Sequence, residues 1–285
     1  MKIEYRDFRE DDLSKIKEFS EVMPTYYEDW NVFAPILLAN PNCLLFGAFQ
    51  DEKIIGLGNL RKKTNKLAWI ELIRVRPDIQ QKGVGTELFH FGDKAAKKLN
   101  YKIVGFATEG KNIGSCKIGE KLGFKLITEM IPFWVKRSDL KSQEIKELSQ
   151  PISIDKAITM LQEIPDGPKD YIAIGWEFAP LDKEFFEKEP DMTFYAKNNT
   201  VLLKYLDRDI ATNEVDWIKA IVYGAEEDAE FLLSEFVERT KVYDKNLSCI
   251  TTAKLQHIPE KMNFNHSTSE DGRHNTIVLW EKKLQ

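Results

Sequence analysis

Apolar and polar residues along the first half of the chain alternate with two different periods. Residues 2–8 read as a short strand. Residues 11–22 carry Leu13, Ile16 and Phe19 at helical spacing, and residues 30–38 form a second helical run. Three apolar runs of strand length follow: Cys43–Gln50, residues 53–61 and Leu67–Val75. The polar Asp51-Glu52-Lys53 makes a hairpin turn between the first two. Residues 83–99 return to helical spacing through Val84, Leu88, Phe91 and Ala95. Residues 103–107 form a strand. A helix then runs to Leu122, and residues 124–135 are strand again. The predicted order is β-α-α-β-β-β-α-β-α-β.

The junction between the third apolar run and the next helix is the most specific segment. Val75-Arg76-Pro77-Asp78 leads into Gln80-Gln81-Lys82-Gly83-Val84-Gly85-Thr86. Glycines let backbone approach a ligand closely, and free N–H groups at a helix start favour phosphate. A P-loop is excluded, because no Lys followed by Ser or Thr comes after Gly85. A dinucleotide fingerprint opens a parallel βαβ unit. This turn instead follows strands that look antiparallel. A glycine turn with no ligand is the plain alternative.

A second segment, Asn112-Ile113-Gly114-Ser115, opens a helix with Ile118 and Leu122 at i, i+4 and a glycine stop at Gly123 before Phe124. Together the two segments resemble the GNAT N-acetyltransferases. That family's pattern is Val-x-Pro-x-x-Gln/Arg-x-x-Gly-x-Gly/Ala, filled here by Val75, Pro77, Gln80, Gly83 and Gly85. The resemblance covers residues 1 to about 140. It implies an α/β fold of α+β type: a mixed, mostly antiparallel sheet flanked by helices. It also implies acetyl-CoA as co-substrate. Ile73 and Val75 would contact it through backbone. Gln80, Gln81, Lys82, Gly83, Val84, Gly85 and Thr86 would hold the pyrophosphate. Asn112 and Ser115 would open the helix along the pantetheine arm. The family's usual tyrosine acid is absent, since its position is Gly119.

The second half looks like a worn copy of the first. Trp217-Ile218-Lys219 echoes Trp69-Ile70-Glu71, and Glu260-Lys261-Met262-Asn263-Phe264 echoes Glu120-Lys121-Leu122-Gly123-Phe124. The copy is shorter between these marks. The shortage is placed at Val222-Tyr223-Gly224-Ala225-Glu226-Glu227-Asp228, where no glycine turn remains. Three acids there repel a pyrophosphate. The expected organisation is residues 1–140 as the acetyl-CoA-binding domain, 141–152 as linker, and 153–285 as a degenerate GNAT-like domain. An unrelated α+β domain is the alternative. The polar stretch read as linker extends over residues 138–155.

Composition narrows the class. The chain has 285 residues, enough for two domains, and 42% of them are hydrophobic. A net charge of −5 argues against nucleic-acid or anionic-membrane binding. No apolar run is long enough to span a bilayer, and the N-terminus is too polar for a signal peptide. Three scattered cysteines and no spaced Cys/His cluster give a reducing cytoplasm and no metal as the default.

Direct transfer to an amine needs a neutral nucleophile and a polarised carbonyl. Glu71, a charge inside an apolar strand, is the candidate base. Desolvation would make it more basic. By strand parity it should share a face with Ile73 and Val75. The alternative is a solvent-facing Glu71 paired with Lys53 or Arg61. Ser115 and Cys116 are candidates to replace the tyrosine, or else cap and packing residues. Tyr26, Tyr27 and Trp30 are candidates for the acceptor wall, or else cover the core. The predicted activity is N-acetylation of a primary amine on a small molecule or peptide, by a monomer (an internal pseudo-dimer) or a homodimer. The rival is an acyl-CoA-binding sensor or scaffold.

Overall fold

The computed structural model describes residues 2–23, 29–80, 83–140, 145, 148–209, 211–266 and 275–285. The first half comprises β1 (Glu4–Asp7), α1 (Leu13–Val22), α2 (Trp30–Ala39), β2 (Cys43–Gln50), β3 (Lys53–Lys62), β4 (Leu67–Val75), α3 (Val84–Lys98), β5 (Ile103–Glu109), α4 (Ile113–Lys121) and β6 (Lys125–Val135). The order is the expected one. β1 to β4 pair antiparallel in sequence, and β5 joins β4 in parallel. Asp51 and Glu52 take φ of 49° and 65°, the left-handed pair that matches the twist of a two-residue hairpin. Helices α1 and α2 cover one sheet face, burying Ile16, Phe19, Trp30, Ala34 and Leu37 against Leu45, Phe49 and Leu57. Helix α3 covers the other, with Phe91 against Phe46 at 5.2 Å between ring centroids.

The second half continues with β7 (Pro151–Ile152), α5 (Ile154–Glu163), β8 (Tyr171–Ala173), β9 (Phe178–Pro180), α6 (Lys183–Phe186), β10 (Met192–Lys197), β11 (Thr200–Arg208), β12 (Val215–Tyr223), α7 (Glu226–Arg239), β13 (Asn246–Thr251), α8 (His257–Lys261) and β14 (Ile277–Lys283). Its pairing repeats the first half. β7, β10, β11 and β12 are antiparallel neighbours, and β13 joins β12 in parallel. The β8–β9 hairpin is an addition between α5 and α6. The helix ends repeat too. Phe124 N–H donates to Gly119 O at 2.9 Å past left-handed Gly123, and Phe264 N–H donates to Pro259 O at 2.9 Å past left-handed Asn263. At the end of the stretch expected to be a linker, Ile152 pairs with Phe194, and Ser153 caps α5 by accepting from Lys156 N–H at 3.3 Å.

The chain divides into two compact units, neither of which is one continuous segment. The first contains Met1–Phe106, Ile113–Ile127 and Trp280–Gln285. The second contains Ala107–Asn112 and Thr128–Leu279. In the first unit Trp280 stacks on Phe106 at 6.1 Å, Lys282 pairs with Asp93 at 2.7 Å, and Leu284 N–H donates to Lys102 O at 2.8 Å. In the second unit residues 131–135 of β6 pair antiparallel with β13. Residues late in the chain thus complete the early unit, and the end of the early repeat completes the late one. Among the described residues no helix is long and apolar enough to cross a membrane.

Candidate active site

Two departures from a regular sheet define the site in the first unit. β4 pairs with β5 only from Leu67–Ile103 to Trp69–Gly105. Beyond Trp69 it continues to Val75 against β3, so the two parallel strands part. The second departure is a bulge. Asn59 opposes Glu71 and Leu57 opposes Arg74, which leaves Leu72 and Ile73 opposite Gly58 alone. Leu72 takes φ of 56°. Such a bulge re-aims the side chains around it.

The bulge overturns the parity expectation. Leu57 packs in the core under α1 and α2, so Asn59 and Arg61 share that face of β3. Glu71 lies there with them. Ile73 instead fills the space over Gly58 beside Phe46, on the α3 face, and Val75 approaches Gly85 on α3. Glu71 therefore does not share a face with Ile73 and Val75, because one extra residue in β4 flips the alternation after it.

Glu71 does not point to solvent. Its side chain is 14% exposed, and both oxygens are engaged: Asn59 Nδ2 donates to Oε1 at 2.9 Å, and the Arg61 guanidinium donates to Oε2 at 2.6 Å. Lys53, the other expected partner, pairs with Glu18 at 2.7 Å. The Cys43 thiol also reaches Asn59, and burial pushes it above its ordinary pKa. Asn59 had a signal that was overlooked, as the single amide in the apolar run before Leu60.

At the end of β4, Gln80 Nε2 folds back to Val75 O at 3.3 Å. Gln81 and Lys82 lie outside the described residues, as do Tyr26 and Tyr27. Gly83 is the left-handed N-cap of α3, with φ of 83° and no side-chain cap. Among the described residues nothing stands within 4 Å of where its Cβ would be. The first turn of α3 carries buried Val84 and half-buried Gly85 and Thr86. Asn112 Nδ2 donates to Thr108 Oγ1 at 3.1 Å just before α4, and Ser115 and Cys116 on α4 are half-buried. Trp30, expected on the acceptor wall, is fully buried with its ring edge-on to Phe19 at 6.1 Å. It belongs to the core because α2 turns its apolar stripe inward.

Gly119 shows why the family's tyrosine is missing. A Cβ there would sit 2.8 Å from Phe106 Cζ and 3.4 Å from Trp280 Cε3. The space a larger side chain needs is already filled.

The second unit lacks these departures at the matching positions, and its own bulge comes earlier in β12, at Asp216. β12 stays paired with β13 for five positions, through Ile221–Ile250, and no β12 residue has positive φ. Thr200 Oγ1 caps the turn by accepting from Ala225 N–H at 2.9 Å, and Glu226, Glu227 and Asp228 fill the first turn of α7. A cavity of about 240 Å³ at this turn carries Glu163 and Asp166 in its wall. Among the described residues no cluster of His, Cys, Asp and Glu could hold a metal ion.

Residues 4–124 match the family model described as the acetyltransferase (GNAT) family. Over 81 residues the chain is 33% identical to streptothricin acetyltransferase of Escherichia coli, an overlap of 28% of this chain and 47% of that protein. The chain thus spans about half the length of that curated relative. Across 99% of its length it shares the fold of a Thermoplasma acidophilum protein classed with the acetyltransferases, with TM-score 0.62, 10% identity and all of that chain covered. A tandem GNAT protein from the clavulanic acid biosynthesis pathway covers the same 99%, with TM-score 0.55, 11% identity and 98% of its own chain. Residues 4–124 belong to the acetyltransferase (GNAT) family, and the chain that carries them has the tandem GNAT fold.

Proposed function

We propose that the chain is an acetyl-CoA-dependent N-acetyltransferase that moves the acetyl group to a primary amine of a small molecule or peptide. The observation that carries this reading is the parting of β4 from β5 beyond Trp69, with bulged Leu72 at the opening. The glycine-opened start of α3 follows directly. The described residues fit the co-substrate: among them none caps the α3 N-terminus with a side chain, and none fills the space at Gly83. Backbone at residues 80–86 would hold the pyrophosphate, backbone at Ile73 and Val75 the acyl end, and Asn112 and Ser115 the pantetheine side. Acetyl-CoA supplies the activated thioester.

The chain's own residues supply the proton handling. Glu71 accepts the proton of the attacking amine, directly or through water. Ser115 and Cys116 are the half-buried groups on α4 that could return a proton on the thiolate side, since Gly119 cannot. The donor site is single, because the second unit caps the matching turn with Thr200 and lines it with acids. Three free cysteines suit a reducing compartment such as the cytoplasm. Two repeats in one chain suit a monomer as well as a homodimer.

One observation favours the rival reading of an acyl-CoA-binding sensor. Both Glu71 oxygens are already taken, by Asn59 and Arg61. The deciding experiment incubates the protein with acetyl-CoA and a panel of amines, following free thiol, beside calorimetric binding of acetyl-CoA. Amine-dependent thiol release is the expected result. Tight binding with no release from any amine would establish the sensor.

A further inference from the structure

Asn59 occupies a position where an apolar residue would serve packing better. It is fully buried, and among the described residues its Oδ1 accepts no hydrogen bond, although the Cys43 thiol lies close to the amide. The residue two before it on the same face, Leu57, packs into an apolar core. A buried amide with an unsatisfied oxygen costs stability, so its retention asks for a reason. The reason on view is Nδ2, which donates to Glu71 Oε1 at 2.9 Å. The amide orientation is fixed by that contact, because the flipped form would set two acceptor oxygens against each other.

The second repeat separates what belongs to the fold from what belongs to the site. With Trp217 set on Trp69, Lys219 takes the place of Glu71. Tyr205 stands opposite Lys219, and Asp207 opposite Trp217, as Asn59 and Arg61 stand opposite Glu71 and Trp69. Lys219 and Asp207 pair at 2.5 Å, the same cross-strand ion pair with its signs reversed. That repeat has its bulge before the ion pair, at Asp216, keeps β12 paired with β13 past Lys219 to Ile221, and packs its one turn glycine, Gly224, against Thr200. The ion pair is therefore a property of the sheet, whereas the buried amide accompanies only the strand that opens.

We propose that Asn59 is a positioning residue of the transfer reaction. It fixes the Glu71 carboxylate so that one oxygen keeps a set orientation toward the acceptor amine. Arg61 supplies the charge balance common to both repeats. The inference rests on Glu71 acting as the base.

The test is Asn59→Leu, which keeps the branched shape and the number of heavy atoms and removes both the donor and the orphan oxygen. Melting temperature, acetyl-CoA dissociation constant, and kcat and KM with the best amine of the panel are measured. The expected result is a melting temperature equal to or above the parent's and an unchanged acetyl-CoA constant. The kcat should fall about tenfold, which is about 1.4 kcal/mol of barrier, with KM for acetyl-CoA unmoved. Asn59→Asp, which keeps shape and oxygen but cannot donate when ionised, should lose kcat as well. Unchanged kcat in Asn59→Leu overturns the proposal, and so does a clear loss of stability, which would make Asn59 a packing residue. The parent protein decides the underlying reading separately. If it binds acetyl-CoA and acetylates no amine, both fall; if it is active and Asn59→Leu equals it, only this inference falls.

Discussion

At the scale of single residues the site turns on Glu71 and Gly119. If Glu71 takes the amine proton, Glu71→Gln should lower kcat at neutral pH by about 10²–10⁴-fold. Acetyl-CoA affinity should hardly change, because the carboxylate faces α1 and α2 rather than the glycine turn. The residual rate should climb with pH, as solvent supplies the neutral amine. A pH series of kcat and a binding isotherm check this, and an undiminished kcat would leave positioning alone as the source of rate. At Gly119 a methyl group meets Phe106 at 2.8 Å. Gly119→Ala should therefore cost about 1–3 kcal/mol by overpacking. Denaturant midpoints measure it, and equal stability would show that Phe106 and Trp280 yield easily.

At the scale of elements the turn from β4 to α3 carries the proposed donor site. A Cβ at Gly85 would lie 3.8 Å from Val75 Cγ2 and 3.9 Å from Ile118 Cδ1, between the end of β4 and α4. Gly85→Glu should thus fold normally yet abolish acetyl-CoA binding, by filling that space and by setting a charge against phosphate. Calorimetry beside a melting curve tests both halves of this statement, and parental affinity would remove the turn from the site. Much at this scale was legible in the sequence. Cys43–Gln50 and Leu67–Val75 were readable to the residue, because their apolar runs end at Asp51-Glu52 and at Pro77. The bulge was not. Leu72 is an ordinary strand residue by type, and its left-handed backbone arises from pairing with glycine-interrupted β3. Face assignments past Glu71 failed for that reason. Strand β7 was hidden as well, since two residues with a proline carry no periodicity.

At the scale of the whole molecule the proposal gives two repeats one donor site. Titration with acetyl-CoA should reach one equivalent per chain, and two equivalent sites would contradict the capped, acidic turn at Ala225. Deleting residues 280–285 should remove the strand beside β5, the Trp280 ring on Phe106 and the Lys282–Asp93 pair together. Acetyl-CoA binding should then be lost although every proposed contact residue remains, and retained binding would show that the first unit closes without that strand. The exchange of strands could not be read from sequence, because β6 and β14 are similar amphipathic runs and nothing local says which sheet each joins. Its consequence lies in time. A ribosome that has finished residue 127 needs roughly ten to thirty seconds more to deliver residues 280–285, at usual elongation rates. Through that interval the catalytic half waits unfinished, with Phe106 lacking its stacking partner. Closure of the earliest-made unit therefore waits on residues 280–285, and a chain interrupted before them leaves that unit open to proteolysis.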